Sequence, residues 1–185
     1  MRGAHRGMVA VLRGINVGGH RKVPMAELRE LAEAEGFRDV ATYIQSGNLV
    51  FTADGSAATA EASLERAIAA HFGFAVDVVV RTADDWARYA AGNPFQDAAD
   101  TRPNHLLLAL SKQPPSSGAE AALRGQASAG ERVALLGDAF WIDYVGSVAR
   151  SKLTPAVLNK ALGSPATARN WTTVLKLAEM AHPTR

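Results

Sequence analysis

Val40-Ala41-Thr42-Tyr43-Ile44-Gln45-Ser46-Gly47-Asn48-Leu49-Val50-Phe51-Thr52-Ala53 reads as two short strands folded back on each other. Val40 to Ser46 alternates in the strand manner, and Leu49, Phe51 and Ala53 recur at every second residue. Gly47-Asn48 between them is predicted to be a two-residue hairpin turn, because Gly and Asn reach positive backbone angles at low cost. Upstream, Met8 to Arg13 reads as a strand built on the short apolar run Met8 to Leu12. Pro24 then opens a helix whose stripe is Met25, Leu28, Leu31 and Ala32 and whose stop is Gly36. Downstream, a helix over about residues 57–72 carries Leu64, Ala67, Ile68 and Phe72 on one face. Ala75 to Val80 is an almost unbroken apolar strand. Thr82 and Asp85 have capping-box spacing ahead of a helix with Trp86, Tyr89 and Ala90 inward, which Gly92-Asn93-Pro94 ends. The hairpin is therefore flanked on each side by one helix and one strand.

The same order returns in the second half. Asn104 to Leu110 is strand-like, an Ala-rich helix is expected near 119–128, and Arg132–Leu136 and Phe140–Val145 are strands joined by Gly137-Asp138. Thr154-Pro155 starts a helix that runs to Gly163. Ala166 to Trp171 reads as a short strand or as the first turn of a last helix marked by Val174, Leu175 and Ala178. Two successive strand-helix-strand-strand-helix-strand patterns predict an α+β protein. Its expected form is a tandem duplication of two ferredoxin-like (βαββαβ) units packed together, spanning residues 1–92 and 103–185 with the final helix in the second.

The chain has 185 residues, 48% hydrophobic and 21% charged, so it can bury a sizeable core while staying soluble. Its apolar runs fall short of the ~20 residues a membrane span needs, and Met8 to Leu12 is too short for a signal-peptide core. The absence of cysteine removes disulfides, thiol nucleophiles and thiolate metal sites. A cytoplasmic, bacterial protein without a membrane partner is expected. The net charge of +2 is unevenly spread. Residues 1–22 hold five Arg and Lys and no acid, and residues 144–185 hold six against Glu179 alone. This makes a basic face at the ends, or merely a solvated surface.

Leu12-Arg13-Gly14-Ile15-Asn16-Val17-Gly18-Gly19-His20-Arg21-Lys22 sits between a strand and a helix. Exposed N–H groups flanked by Arg13, Arg21 and Lys22 suit a phosphate or carboxylate. The alternative is that the glycines only permit a tight turn that Asn16 caps. Gly14 and Gly19 have P-loop spacing, but His20 and Arg21 stand where Lys and Ser/Thr should follow, so nucleoside-triphosphate chemistry of that type is excluded. Ser46 lacks the strained elbow that activates a serine. In Thr167-Ala168-Arg169-Asn170-Trp171, strand geometry would put Thr167, Arg169 and Trp171 on one face, fit to hold an anion or to stack on a base. Otherwise Trp171 belongs to the core and Arg169 pairs with a carboxylate. The five histidines show no ligand spacing, so no metal and no cofactor is expected.

Arg13-Gly14-Ile15-Asn16-Val17-Gly18-Gly19, Tyr43-Ile44-Gln45-Ser46-Gly47-Asn48, Asn93-Pro94-Phe95, Ser151-Lys152-Leu153 and Ala166-Thr167-Ala168-Arg169-Asn170-Trp171 followed by Thr173 together resemble one family. It is the bacterial domain of unknown function 1697. The resemblance spans essentially the whole chain and implies a pair of ferredoxin-like subdomains. It implies no activity, and so no catalytic residue. It points to Arg13, Asn16, Ser46, Asn48, Lys152, Thr167, Arg169 and Asn170 as the recurring polar positions. The family's glycine-and-arginine turn before the Ser-Lys-Leu block is replaced here by Val145-Gly146-Ser147-Val148-Ala149-Arg150, so no role passes to Arg150.

Three functions fit this reading. The first is an anionic small molecule bound where the two units meet, by Arg13, Asn16, Gly18, Gly19, Lys22, Ser46, Asn48, Lys152, Thr167, Arg169 and Asn170. With no nucleophile or base among them, any catalysis would rest on orientation and electrostatics, and whether the protein is an enzyme stays open. The second is RNA binding through the basic ends, for which the strands offer only Phe51, Phe140 and Tyr144 as stacking aromatics and no basic-glycine-aromatic signature. The third is a protein-interaction module, whose mark would be an exposed apolar sheet face.

Overall fold

A computed structural model describes residues 5–182. The outermost residues of both ends, Arg2 and Arg185 of the basic termini among them, lie outside the described residues. The first half contains β1 (Arg6–Leu12), α1 (Met25–Ala34), β2 (Arg38–Tyr43), β3 (Asn48–Ala53), α2 (Ala57–Phe72) and β4 (Val78–Thr82), followed by α3 (Ala83–Ala91). Its four strands form an antiparallel sheet in the order β2-β3-β1-β4. The period-two pattern decides which side chains face the helices. Met8, Ala10 and Leu12 of β1, Leu49 and Phe51 of β3, and Val78 and Val80 of β4 pack with Leu28, Leu64 and Ile68 of α1 and α2. Phe37 stacks on Phe51 with ring centroids 4.4 Å apart. Each large side chain buried this way stabilises by about 1.5–3 kcal/mol. The intervening Val9, Val11 and Val79 are buried too, which is why β1 and β4 read as continuous apolar runs.

The second half repeats the order with β5 (Leu106–Ser111), α5 (Ala119–Gln126), β6 (Arg132–Leu136), β7 (Ala139–Asp143), α6 (Pro155–Leu162) and β8 (Ala166–Asn170), then α7 (Trp171–Ala181). A second antiparallel sheet runs β6-β7-β5-β8. Phe140, Ile142, Ala109 and Val133 meet Leu123, Leu158 and Leu162 from α5 and α6. The molecule is thus a mixed α and β structure with two four-stranded antiparallel sheets and, among the described residues, seven α-helices. It divides into two compact units, residues up to Arg88 with those from Leu177 on, and Tyr89–Lys176. The divisions fall inside α3 and α7, so the final helix, expected in the second unit, is shared.

Local signals place most element ends. Ser56 caps α2 by accepting from the Thr59 N–H (3.1 Å), and Gly73 ends it in the left-handed region. Thr154 and Gly163 do the same for α6, with Pro155 at its first turn. The Thr82–Asp85 box is reciprocal: the Thr82 N–H donates to Asp85 Oδ2 (3.0 Å) and the Asp85 N–H to Thr82 Oγ1 (3.2 Å). Gly137-Asp138 is the expected two-residue turn, since Leu136 pairs with Ala139.

Other expectations are corrected. Tyr43 pairs with Asn48, so the first hairpin turns through four residues, Ile44 to Gly47, and Asn48 belongs to β3. Positive φ falls on Ile44 (50°) and Gly47 (86°), not on Asn48. A short helix, α4 (Gln96–Thr101), fills the expected linker; its six residues are too few for a periodic signal. β8 stops at Asn170, so Trp171 opens α7 and leaves the face shared by Thr167 and Arg169.

Candidate functional site

In the first unit the β1–α1 loop meets the β2–β3 turn at one end of the sheet, because Val11 pairs with Asn48. Asn16 is the fastener. Its Nδ2 donates to the carbonyls of Val23 (2.9 Å) and Gln45 (2.8 Å), and its Oδ1 accepts from the Val23 N–H (2.9 Å). Asn16 holds φ at 54°, a left-handed conformation that Asn tolerates better than most residues. Its amide is therefore spent on the fold. Gly18 and Gly19, both at positive φ, form a tight turn closed by the His20 N–H donating to the Val17 carbonyl (3.0 Å). Asn48 is fully buried, and its Nδ2 donates to the Tyr43 carbonyl (2.8 Å) and to Ser46 Oγ (3.0 Å). Gly47 is required by space: a Cβ there would come 2.6 Å from Ile15 Cδ1 and 2.9 Å from Leu12 Cβ.

The loop's cations divide. Arg13 pairs with Asp77 (3.3 Å). The Arg21 guanidinium donates to the Ala75 carbonyl and lies 5.5 Å from the centre of the Phe74 ring. Lys22 is exposed, and among the described residues it has no carboxylate partner. It lines an open groove of about 690 Å³ together with Gly19, Met25, Ala26, Gln45 and Arg29. Arg29 donates to Thr42 Oγ1 (2.8 Å) and is likewise without a carboxylate among the described residues. Pro24, the residue before α1, offers no side-chain cap, and it lines the same groove with Met25 and Ala26 of the helix's first turn. Sequence reading missed Arg29 and Gln45. Arg29 falls just off the apolar stripe of α1, and nothing in a helical period marks such a residue as lining a groove.

In the second unit Thr167, Arg169 and Asn170 serve the fold. Arg169 is 8% exposed and lies in one cross-strand row with Leu108 and Trp141. It donates to Thr167 Oγ1 (2.8 Å) and to the Ala168 carbonyl (2.9 Å), and burial pulls its guanidinium down to about 10. Asn170 Oδ1 accepts from the Thr173 N–H (3.0 Å), capping α7. Trp171 is buried edge-on against Trp141. Lys152 is exposed on the loop before α6, between the buried Ser151 and Leu153.

The strongest electrostatic cluster was not foreseen. Asp143, with no exposed surface, accepts from Arg102 Nη2 (2.6 Å) and Nε (2.8 Å) and from Arg132 Nε (2.8 Å). Arg132 also pairs with Asp97 (2.8 Å) and packs 4.7 Å from the centre of the Phe95 ring. Burial raises the Asp143 carboxyl, but the two guanidiniums outweigh it and hold it below the usual value. Asn93-Pro94-Phe95 thus leads α4 onto the second sheet. The partners come from three stretches, α4 with its flanking residues, β6 and β7; Arg132 and Asp143 are cross-strand neighbours in the second hairpin, but the approach of Arg102 and Asp97 to them is set by tertiary packing. Among the described residues no three His, Asp or Glu side chains gather as a metal site.

A family model described as "Protein of unknown function (DUF1697)" matches residues 6–141, well over half of the chain. Among solved structures, "conserved bacterial protein SP0830 from Streptococcus pneumoniae" is similar, with a TM-score of 0.74 and 26% sequence identity over 97% of this chain and 100% of that one. Among curated proteins nothing matches. No described helix is long and apolar enough to cross a membrane. The sequence blocks, the matched span and the shared architecture agree: this chain belongs to the DUF1697 family of proteins of unknown function.

Proposed function

We propose that this cytoplasmic protein is a duplication of two ferredoxin-like units that binds a small phosphate- or carboxylate-bearing anion, and that the site is the groove beside α1 in the first unit. One observation carries the reading. Lys22 and Arg29 line one groove with no carboxylate among its lining residues, whereas Arg13 is neutralised by Asp77. Two unneutralised cations and the uncapped start of a helix attract negative charge and give it donors. The lining also lacks a hydroxyl, an imidazole or an acid, so it can hold and orient an anion but offers no general base. RNA recognition by strand aromatics is disfavoured, because Phe51, Phe140 and Tyr144 are all buried in the cores.

Thermal unfolding against phosphate, sugar phosphates and carboxylates tests this. A ligand at ~100 times its dissociation constant stabilises by about 2.7 kcal/mol, a shift of a few degrees. We expect one anion class to shift wild type and Arg13→Ala alike, and the Lys22→Ala/Arg29→Ala double variant to lose the shift while keeping its own melting point. An undiminished shift in the double variant would place the site elsewhere. A shift confined to RNA and falling steeply with salt would favour the nucleic-acid alternative.

A further inference from the structure

Arg29 is a half-buried cation whose hydrogen-bond partner among the described residues is neutral. Three other part-buried guanidiniums are answered by acids: Arg13 by Asp77, and Arg102 and Arg132 by Asp143. Arg29 instead donates from Nη1 to the Thr42 hydroxyl of β2 (2.8 Å), which orients the group without cancelling its charge. Thr42 is itself fixed in the sheet, paired with Leu49 of β3. The other edge of the guanidinium, Nε and Nη2, has no partner among the described residues. That edge is the one Arg102 presents to Asp143 in the second unit. Ala26 and Met25, three and four residues before Arg29, line the groove with it as neighbours on one helix face, and Lys22 lines it from just before the helix. Neither Asp nor Glu is in the lining. Two positive charges therefore meet the groove with no acid beside them.

We infer that the anion of this site is a phosphate monoester dianion, bound by Nε and Nη2 of Arg29 and by the Lys22 ammonium, with Thr42 as the positioning residue that holds the guanidinium in place. The inference rests on the anion-binding reading, chooses phosphate over carboxylate within it, and adds a residue outside the groove's lining. A phosphate monoester carries close to two charges and three acceptor oxygens on one centre. That is enough for both N–H groups of a guanidinium edge and for an ammonium. A single carboxylate or a sulfate ester brings one charge and leaves one of the two cations unanswered. A free arginine loses rotamer freedom when a ligand immobilises it, and one already held by Thr42 loses less.

The test is titration calorimetry at low salt and about pH 8, where the ester is a dianion, with methyl phosphate, methyl sulfate, acetate and malonate on wild type, Thr42→Val and Thr42→Ser. Methyl sulfate keeps the tetrahedral shape with one charge, and malonate keeps two charges on two planar groups. Wild type should bind methyl phosphate about tenfold or more tightly than methyl sulfate or acetate, the worth of a second charge facing two cations in a water-like dielectric. It should also prefer methyl phosphate to malonate. Thr42→Val keeps the β-branched shape and removes the hydroxyl, so it should weaken methyl phosphate about three- to tenfold, and Thr42→Ser should restore the affinity. Unchanged affinity in Thr42→Val, even with a lowered melting temperature, would mean that the hydroxyl only ties α1 to β2 and would overturn the positioning role. So would a loss that Thr42→Ser fails to recover. Equal affinity for methyl phosphate and the singly charged anions would overturn the dianion, and malonate binding as tightly as methyl phosphate would overturn the choice of phosphate, while the anion site itself would stand. Failure of all four anions on wild type would bring down the anion-binding reading and this inference together.

Discussion

Asn16 shows how a polar residue that looks like a ligand contact becomes a structural one. Both its N–H groups and its carbonyl oxygen are consumed by Val23 and Gln45. With each of the three bonds worth about 1 kcal/mol net, and a further 1–2 kcal/mol for placing a Cβ without that amide at positive φ, Asn16→Ala should lose about 4–5 kcal/mol. Asn16→Gly should recover the backbone part only, which urea unfolding of the two variants would resolve. Gly47 makes the complementary case, since its constraint is space as well as angle. Gly47→Ala should cost at least about 2 kcal/mol through overpacking and strain. Adding Ile15→Val, which removes the Cδ1 atom in the way, should return part of it in a double-mutant cycle. Gly47 was legible as a turn residue from composition, whereas Asn48, read with it, opens β3. The register of the turn was not legible, because the four-residue loop depends on Ile44 taking an angle that its side chain disfavours.

At the scale of elements, one edge strand of each sheet, β4 and β6, is met by helix glutamates. The Val78 and Val80 N–H groups of β4 donate to Glu65 Oε1 (2.9 Å) and Glu61 Oε2 (3.0 Å), four residues apart on α2. In the second unit the Leu135 N–H of β6 donates to Glu120 Oε2 (3.0 Å) of α5. An open edge strand is a template for pairing with another chain, and a carboxylate laid along it satisfies the N–H groups while repelling a second strand. Glu61→Leu/Glu65→Leu should therefore lose about 1–3 kcal/mol for each deprived N–H and aggregate more readily, whereas Glu61→Gln/Glu65→Gln should keep most of the stability. Light scattering during refolding would separate the two. Helical spacing sets Glu61 on the same side of α2 as Leu64 and Ile68, three and seven residues on, and does not say what its carboxylate meets. That Glu61 and Glu65 reach sideways to a strand needed the packed structure.

For the molecule as a whole, the buried Asp143 makes the second unit acid-sensitive. Its pKa is lower in the folded protein than in the unfolded chain, so its contribution is complete above the ordinary carboxylate range and is lost progressively below about pH 5. Asp143→Asn should cost about 3 kcal/mol at pH 7, the low end for breaking a buried pair, because Arg102 and Arg132 are partly solvated and Arg132 retains Asp97. The gap between wild type and variant, followed by denaturant unfolding, should narrow as the pH falls from 5 to 3. A gap constant over that range would mean that the loss comes from packing and not from charge.

Taken alone, the sequence determined the kinds of element and their order. The apolar run of β1, the alternation in β3, the stripe of α1, the Thr82–Asp85 box and the Thr154-Pro155 start are local patterns, written within a few residues of where they act. Their twofold recurrence carried the α+β architecture. Tertiary structure alone decided which polar residues remain free to meet a ligand. Arg13 is answered by Asp77, 64 positions away, and Asp143 by Arg102, 41 positions away, while Lys22 and Arg29 are left facing a groove. Pairing between charges depends on distance in space, and periodicity in a chain carries no record of it.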